Sequence, residues 1–315
     1  LLKTRFGVHL QPFAPASQPE LGSLRSVYRP ETRTLHINAD LSAQQRLFVL
    51  AREVGFLCLS LKNRPLTYAY VEADSFEQIL NNYKASYFAG AILIRRAILI
   101  EKLTELFARD TWSNDAFGQL ITDFGATPER FFYRLSNVLP RDFGIDQLFF
   151  YRINHSVGET DFHITKEMHL SRQAGPRGFI DGHYCRRWVA LTILQELDGY
   201  QQRGLGQTLC RAQVSHHADA DVTYFIVSVA HPFNPAAQPN PAQNNMSVSM
   251  CFVLNDALRA RMRFLANPVP VPYRIVNEAC EHCGIFDCQE RVAAPTLLQQ
   301  KRQTQVMKAA IAGLT

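Results

Sequence analysis

Apolar residues recur at helical spacing through the first 140 residues and fall into strand-like runs after them. Residues 33–38 (RTLHIN) predict a short strand, one arm of a hairpin. Ser42-Ala43-Gln44-Gln45 has the form of a capping box. Leu47, Leu50, Ala51, Val54, Leu57 and Cys58 follow it with a helical period. A second helical segment starts at Asp74-Ser75 and runs, with a break near Arg95, to about Arg109. Ser113-Asn114 caps a third, which ends at Gly125. Thr127-Pro128-Glu129 starts a fourth, with Thr as N-cap and Pro at the first helical position, ending before Pro140.

The second half changes character. Residues 147–154, 222–229 and 246–254 are rich in β-branched and aromatic side chains and predict strands. Residues 189–197 predict a short helix between them, and residues 232–245, with four prolines, a surface loop. Residues 296–315 read as a polar helix with a weak apolar stripe, and no internal repeat is visible. The change falls near residues 140–144, so the pattern predicts an α+β chain in three parts: 1–140, 141–279 and 280–315.

Composition agrees with this division. The 315 residues, 47% hydrophobic and 19% charged, are enough for two packed domains and exclude a disordered or disulfide-framed chain. A net charge of +5 permits anionic partners without requiring them. The chain starts at Leu1 rather than Met, which suggests a fragment or processed product. No signal peptide is visible, and the longest apolar run, residues 85–94, is about half of a membrane span. The expectation is a soluble, cytoplasmic protein with no membrane partner. Seven cysteines, an odd number with three crowded near the C-terminus, suit a reducing compartment and metal ligation better than secreted disulfides.

Those three carry the strongest chemical signal. Cys280, Cys283 and Cys288 are spaced C-x2-C-x4-C, so a turn can aim the first two sulfurs at one centre and the third can close it. A fourth ligand must come from elsewhere: Cys185, Cys210 or a histidine such as His282. Spacing alone does not separate zinc from an iron–sulfur cluster, and three free thiols are the plain alternative. The helix around Ala51-Arg52-Glu53-Val54-Gly55-Phe56 occupies the frame of a zinc-protease helix, but Arg52 and Phe56 stand where its two histidines would be. An ordinary amphipathic helix is the expectation there. Residues 117–138 have a helix-turn-helix outline, with Arg130 and Arg134 on the second helix. Phe131 and Phe132 suit a core helix better than one that reads DNA. Nucleophile elbow, phosphate-loop and dinucleotide fingerprints are absent. His155, His163, His169, His216 and His217 are scattered, and His216-His217 reads as a solvated loop pair. No catalytic residue is assigned.

Two stretches of the first half resemble an ImmA/IrrE-type metallopeptidase-like domain: residues 28–58, and residues 82–94 (NYKASYFAGAILI). Residues 124–135 extend that resemblance. Residues 81–84 carry no carboxylate where the family's zinc-ligating glutamate stands, so all three expected zinc ligands are missing. Further on, Phe150-Tyr151-Arg152-Ile153-Asn154, Cys185-Arg186-Arg187-Trp188 and the block Cys280 to Arg291 with Pro295 resemble the short-chain fatty acyl transcriptional regulators of bacteria. That resemblance runs from about residue 28 to 297. It implies a degenerate ImmA/IrrE-like domain (1–140), a GAF-like α/β sensor domain (141–279) and a cluster-ligating segment with a terminal helix (280–315). It also implies a 4Fe-4S cluster on Cys185, Cys280, Cys283 and Cys288, with zinc as the alternative. Arg186 departs from the family's proline after the first cysteine, and residues 246–262 depart in composition.

The resemblance further implies a regulator that binds short-chain acyl-coenzyme A, reads DNA through an N-terminal helix-turn-helix absent from this chain, and forms a homodimer. Such a ligand needs cationic groups for its phosphates and apolar walls for its acyl chain. Arg152, Arg186 and Arg187, beside Phe149, Tyr151 and Trp188, are the candidates. A zinc-stapled interaction module and a metal-dependent hydrolase with an unrecognised site are the competing classes.

Overall fold

The computed structural model describes residues 1–17, 19–67, 71–170, 182–205, 208–232, 244–266 and 271–314. The chain opens with α1 (Leu2–Phe6), β1 (His9–Phe13), β2 (Ser26–Arg29) and β3 (Thr34–Asn38). β2 and β3 form the expected hairpin, and β1 lies parallel to β3. α2 (Ala43–Cys58) begins at the predicted capping box: Ser42 Oγ accepts from Gln45 N, and Ser42 N donates to the Gln45 side chain. β4 (Leu66–Thr67) and β5 (Val71–Glu72) complete a five-stranded sheet of order β1-β3-β2-β4-β5. α3 (Phe76–Leu93), capped by Ser75, and α4 (Arg96–Phe107) meet at the predicted break.

α5 (Asn114–Asp123) and α6 (Pro128–Val138) are joined at Gly125, whose φ of 57° is the left-handed conformation glycine adopts without strain. α6 is a core helix. Phe131, Phe132 and Leu135 are buried, Arg134 Nε donates to Ile94 O at 3.1 Å, and no residue of α6 is fully exposed. A helix so covered has no face to lay in a DNA groove.

The chain divides into two units. The first holds Leu1–Leu103 and Gln119–Val138; the second holds Thr104–Gly118, Leu139–Pro232 and Asn244–Thr315. The division near residue 139 sits at a π-helical turn, Leu139–Phe143, ended by Gly144. The stretch 104–118, read from sequence as part of the first domain, groups with the second unit. In the first unit α2 packs one side on the sheet, where Leu35, Ile37, Val49 and Val54 meet, and another on α3, where Phe48, Ala51 and Ala89 meet.

The second unit is built on a six-stranded sheet of order β11-β8-β9-β10-β6-β7. Its strands are β6 (Leu148–Ser156), β7 (His163–His169), β8 (Leu209–His217), β9 (Val222–Pro232), β10 (Asn244–Val253) and β11 (Tyr273–Val276). All pairs are antiparallel except β11 on β8. α7 (Val189–Gln202), longer than its sequence pattern predicts, covers one face through Val189, Leu191, Ile193, Leu194 and Leu197. On the other, Phe225 meets Trp112 at 5.3 Å and Phe264 at 5.7 Å. Burial on both faces explains why β6, β9 and β10 read as near-continuous apolar runs. α8 (Asp256–Arg261) follows β10, and α9 (Thr296–Ala312) ends the chain without a buried side chain. Most of the expected proline-rich loop lies outside the described residues; Pro232 at one end and Asn244 and Asn245 at the other belong to strands. Among the described residues no helix is long and apolar enough to cross a membrane.

Candidate functional site

Cys185 and Cys280 are brought together by backbone pairing. β11 docks on the sheet edge formed by β8, and the chain runs on through Glu278 and Ala279 into Cys280. There it meets the segment before α7. Tyr184 and Ala279 form an antiparallel bridge, Cys185 N donates to Glu278 O at 3.1 Å, and Cys280 N donates to His183 O at 2.9 Å. His183 Nδ1 lies 2.7 Å from Glu281 Oε1, and the His183 backbone N–H also points at that carboxylate. Trp188 anchors the other side: its Nε1 donates to Asn277 O at 2.8 Å.

The four predicted cysteines line one recess. Cys185, Cys280, Cys283 and Cys288 share it with Ala279, Ile285, Arg186, Arg187, Glu290 and Arg291, around about 290 Å³ including its open mouth. Cys280 opens a 3-10 turn, Cys280–His282, and Cys283 follows it directly, its backbone N donating to Cys280 O at 3.2 Å. Ile285 N donates to Cys283 Sγ at 3.4 Å. Arg291 holds the loop from within. Its Nη1 donates to Cys280 O at 2.9 Å and Ala293 O at 3.2 Å, and its Nη2 to Cys283 O at 3.0 Å and Ile285 O at 2.9 Å. Glu290 clasps the segment to the sheet through Arg187 Nε at 2.6 Å and Arg274 Nη1 at 2.9 Å.

Charge in the recess is predominantly positive. Burial pushes the Cys185 thiol up, while backbone hydrogen bonds from Asn277 and Arg187 pull it back toward the thiolate, and the neighbouring Cys283 and Cys280 push it up again. The hydrogen bond to Glu290 holds the Arg187 guanidinium above its usual range, and the same bond holds the Glu290 carboxyl below its own. Burial draws Arg186 down, and Cys280 and Asp161 oppose that; its guanidinium lies 4.7 Å from the centre of the Phe162 ring. Three guanidiniums around four sulfurs can offset the charge that several thiolates would carry.

The donor set suits a soft metal centre. Among the described residues, no three His, Cys, Asp or Glu side chains are gathered closely enough to hold a single ion. One zinc ion with bonds near 2.3 Å would require sulfurs about 3.8 Å apart. Cys210 and His282 do not line the recess. Cys210 lies instead beside Gly118, and burial pushes its thiol up to about 12, so it stays protonated at neutral pH.

The six residues proposed for a small ligand do not converge. Phe149, Tyr151 and Trp188 are packed in the core under α7; Tyr151 lies 6.0 Å from Phe149 and 6.0 Å from Trp188, ring centre to ring centre. Arg152 points away from that core and donates to Thr165 Oγ1 at 2.8 Å. Arg186 and Arg187 line the cysteine recess. His216 and His217 are not a loop pair: both end β8, His216 meets Thr223 Oγ1 at 3.1 Å, and His217 is buried.

The protease-like frame on α2 has become an internal tie. Arg52 is buried and donates to Thr67 Oγ1 at 2.8 Å, with Ser26 Oγ at 3.5 Å and Asn82 Oδ1 at 3.4 Å. Burial draws its pKa down to about 10, which leaves it a cation at neutral pH. Glu53 is paired with Arg64, whose guanidinium lies over the rings of Tyr28 and Phe56 at 4.1 and 4.9 Å. Burial pushes the Glu53 carboxyl up, and Arg64 opposes that. The helix is therefore more than amphipathic: it buries two charged side chains, each with partners, where a hydrolase would need an open metal position. Sequence reading caught the lost ligands but missed Arg64 and Arg291, whose roles depend on partners far along the chain or on carbonyl oxygens.

Comparison with known proteins covers both halves. A family described as the IrrE N-terminal-like domain matches residues 4–136. A solved Mycobacterium tuberculosis transcriptional regulator is similar in fold with a TM-score of 0.59 and 20% sequence identity, covering 93% of this chain and 80% of its own. No curated protein matches in sequence. The chain is thus an α+β protein that opens with an IrrE-like domain and shares its overall fold with that regulator.

Proposed function

We propose that this chain is the sensing region of a transcriptional regulator, that it is not an enzyme, and that Cys185, Cys280, Cys283 and Cys288 hold an iron–sulfur cluster. The observation that carries the reading is the single recess lined by all four thiols, one of them about 95 residues before the others. When bound, such a cluster supplies sensitivity to oxidants and to electron supply. The chain's own residues do the rest: Arg291 holds the ligand loop, Glu290 ties it to β11, and Arg186 and Arg187 balance thiolate charge. The IrrE-like domain acts as scaffold, because Arg52 and Phe56 cannot ligate a metal. The fold shared with a transcriptional regulator supports DNA as the eventual partner. A short-chain acyl-coenzyme A, cytoplasmic location and a GAF-like sensor role rest on the sequence resemblance.

The test is an anaerobic absorption spectrum with iron, sulfide and zinc analysis on one sample. We expect a brown protein with about four irons and four sulfides per chain, and loss of both in Cys283→Ser. A colourless protein with about one zinc per chain would replace the sensor by a structural staple. A Cys283→Ser variant with full iron and sulfide would overturn the ligand assignment.

A further inference from the structure

α3 is built inside out. The side it turns to α2 carries Asn81, Ala85 and Ala89, all buried. The approach is close: a Cβ on Gly55 of α2 would stand 3.0 Å from Ala85 O. The side turned to solvent carries the large apolar residues. Phe76 is 76% exposed, Ile79 53%, Leu80 36%, Tyr83 62% and Tyr87 45%. At 3.6 residues per turn these five positions fall in an arc about 100° wide, the stripe a surface helix normally buries. Scattered apolar residues on a surface need no explanation, but a continuous stripe marks a contact surface.

We propose that this face of α3 is a homodimer interface, in which α3 packs antiparallel against α3 of a second copy of the chain. Three observations select a second copy over another partner. The stripe is self-complementary: about a two-fold axis between positions 81 and 82, Phe76 meets Tyr87 of the other copy and Leu80 meets its Tyr83, so every large residue but Ile79 finds an apolar counterpart. Ile79 meets the aliphatic stem of Lys84. The flank is charge-complementary: Glu77 and Lys84 edge the stripe on the same side, so each copy's Lys84 comes within two residues of the other's Glu77. The area is sufficient: side chains of about 150–250 Å² each leave roughly 500 Å² uncovered per copy at these exposures, and a pair buries about 1,000 Å², the threshold of a specific interface. The interface lies wholly within the first unit and does not depend on the cysteine recess.

The experiment is sedimentation equilibrium of the full 315-residue chain, with Leu80→Glu and Tyr83→Lys as separate variants. Both positions are exposed, and far-UV circular dichroism with thermal melting checks that each variant folds. The wild type should sediment at twice 35.8 kDa. Each variant should dissociate at least about 30-fold more readily, because a charge would be buried against an apolar counterpart. A Cys283→Ser variant should stay dimeric whether or not it carries metal, which separates this proposal from the cluster assignment. A monomeric wild type would overturn it and leave the face to a different partner. Folded variants that dimerise as tightly as the wild type would place the dimer contact elsewhere and overturn it equally.

Discussion

Arg291 shows how much of the recess depends on one side chain that is not a ligand. Its guanidinium reaches four carbonyl oxygens of the cysteine segment, those of Cys280, Cys283, Ile285 and Ala293. The planar five-donor fork suits that task, and a lysine ammonium cannot span the same acceptors. Arg291→Lys should therefore keep the fold but loosen the loop. Native-state alkylation of Cys280 and Cys283 in the metal-free protein should become faster than in the wild type; an unchanged rate would show that the loop holds its shape without the fork. The cysteines themselves were legible, because C-x2-C-x4-C spacing is itself the signal. Which distant cysteine joins them is open on spacing alone; the resemblance names Cys185, and the structure sets Cys185 in the recess and Cys210 beside Gly118.

At the level of elements, helix starts were the most legible features. Ser42, Ser75 and Ser113 each accept a backbone N–H at the predicted place, because capping is local chemistry. β1, β7, β8 and β11 were not legible. β8 carries Arg211, Gln213, Ser215 and His217 on the face toward α7, so its alternation hides behind polar residues that find partners only in the fold. Arg211, for example, donates to Glu196 of α7. The α2–α3 contact gives a direct test of packing. A Cβ added at Gly55 would lie 3.0 Å from Ala85 O, 3.2 Å from Ala85 Cα and 3.2 Å from Phe88 Cβ, two of the three backbone atoms. Gly55→Ala should cost about 1–3 kcal/mol in urea unfolding, since overpacking outweighs the gain in helix propensity. A stabilised variant would mean that α3 shifts freely on α2.

For the whole molecule, the decisive event is the pairing of residues 183–185 with residues 278–280, which joins the start of α7 to the end of β11. A metal centre bridging Cys185 and Cys280 would close a loop of about 95 residues, a constraint comparable to a long-loop disulfide at about 5 kcal/mol in the chain-entropy account. Chelating the proposed metal should lower the melting temperature of the second unit by about 10–20 °C and leave the first unit's transition in place. Equal shifts in both transitions, or none, would count against that linkage. The chain's own pattern settled the helices of the first unit and the three strongest strands of the second, since each depends on neighbours in sequence. Only the tertiary structure decided that Arg52 and Glu53 become buried ties, that Cys210 lies away from the recess, and that α3 faces outward with its large residues. Those outcomes depend on contacts between residues far apart along the chain, and hydrophobic periodicity shows that a helix has an apolar face without showing what it meets.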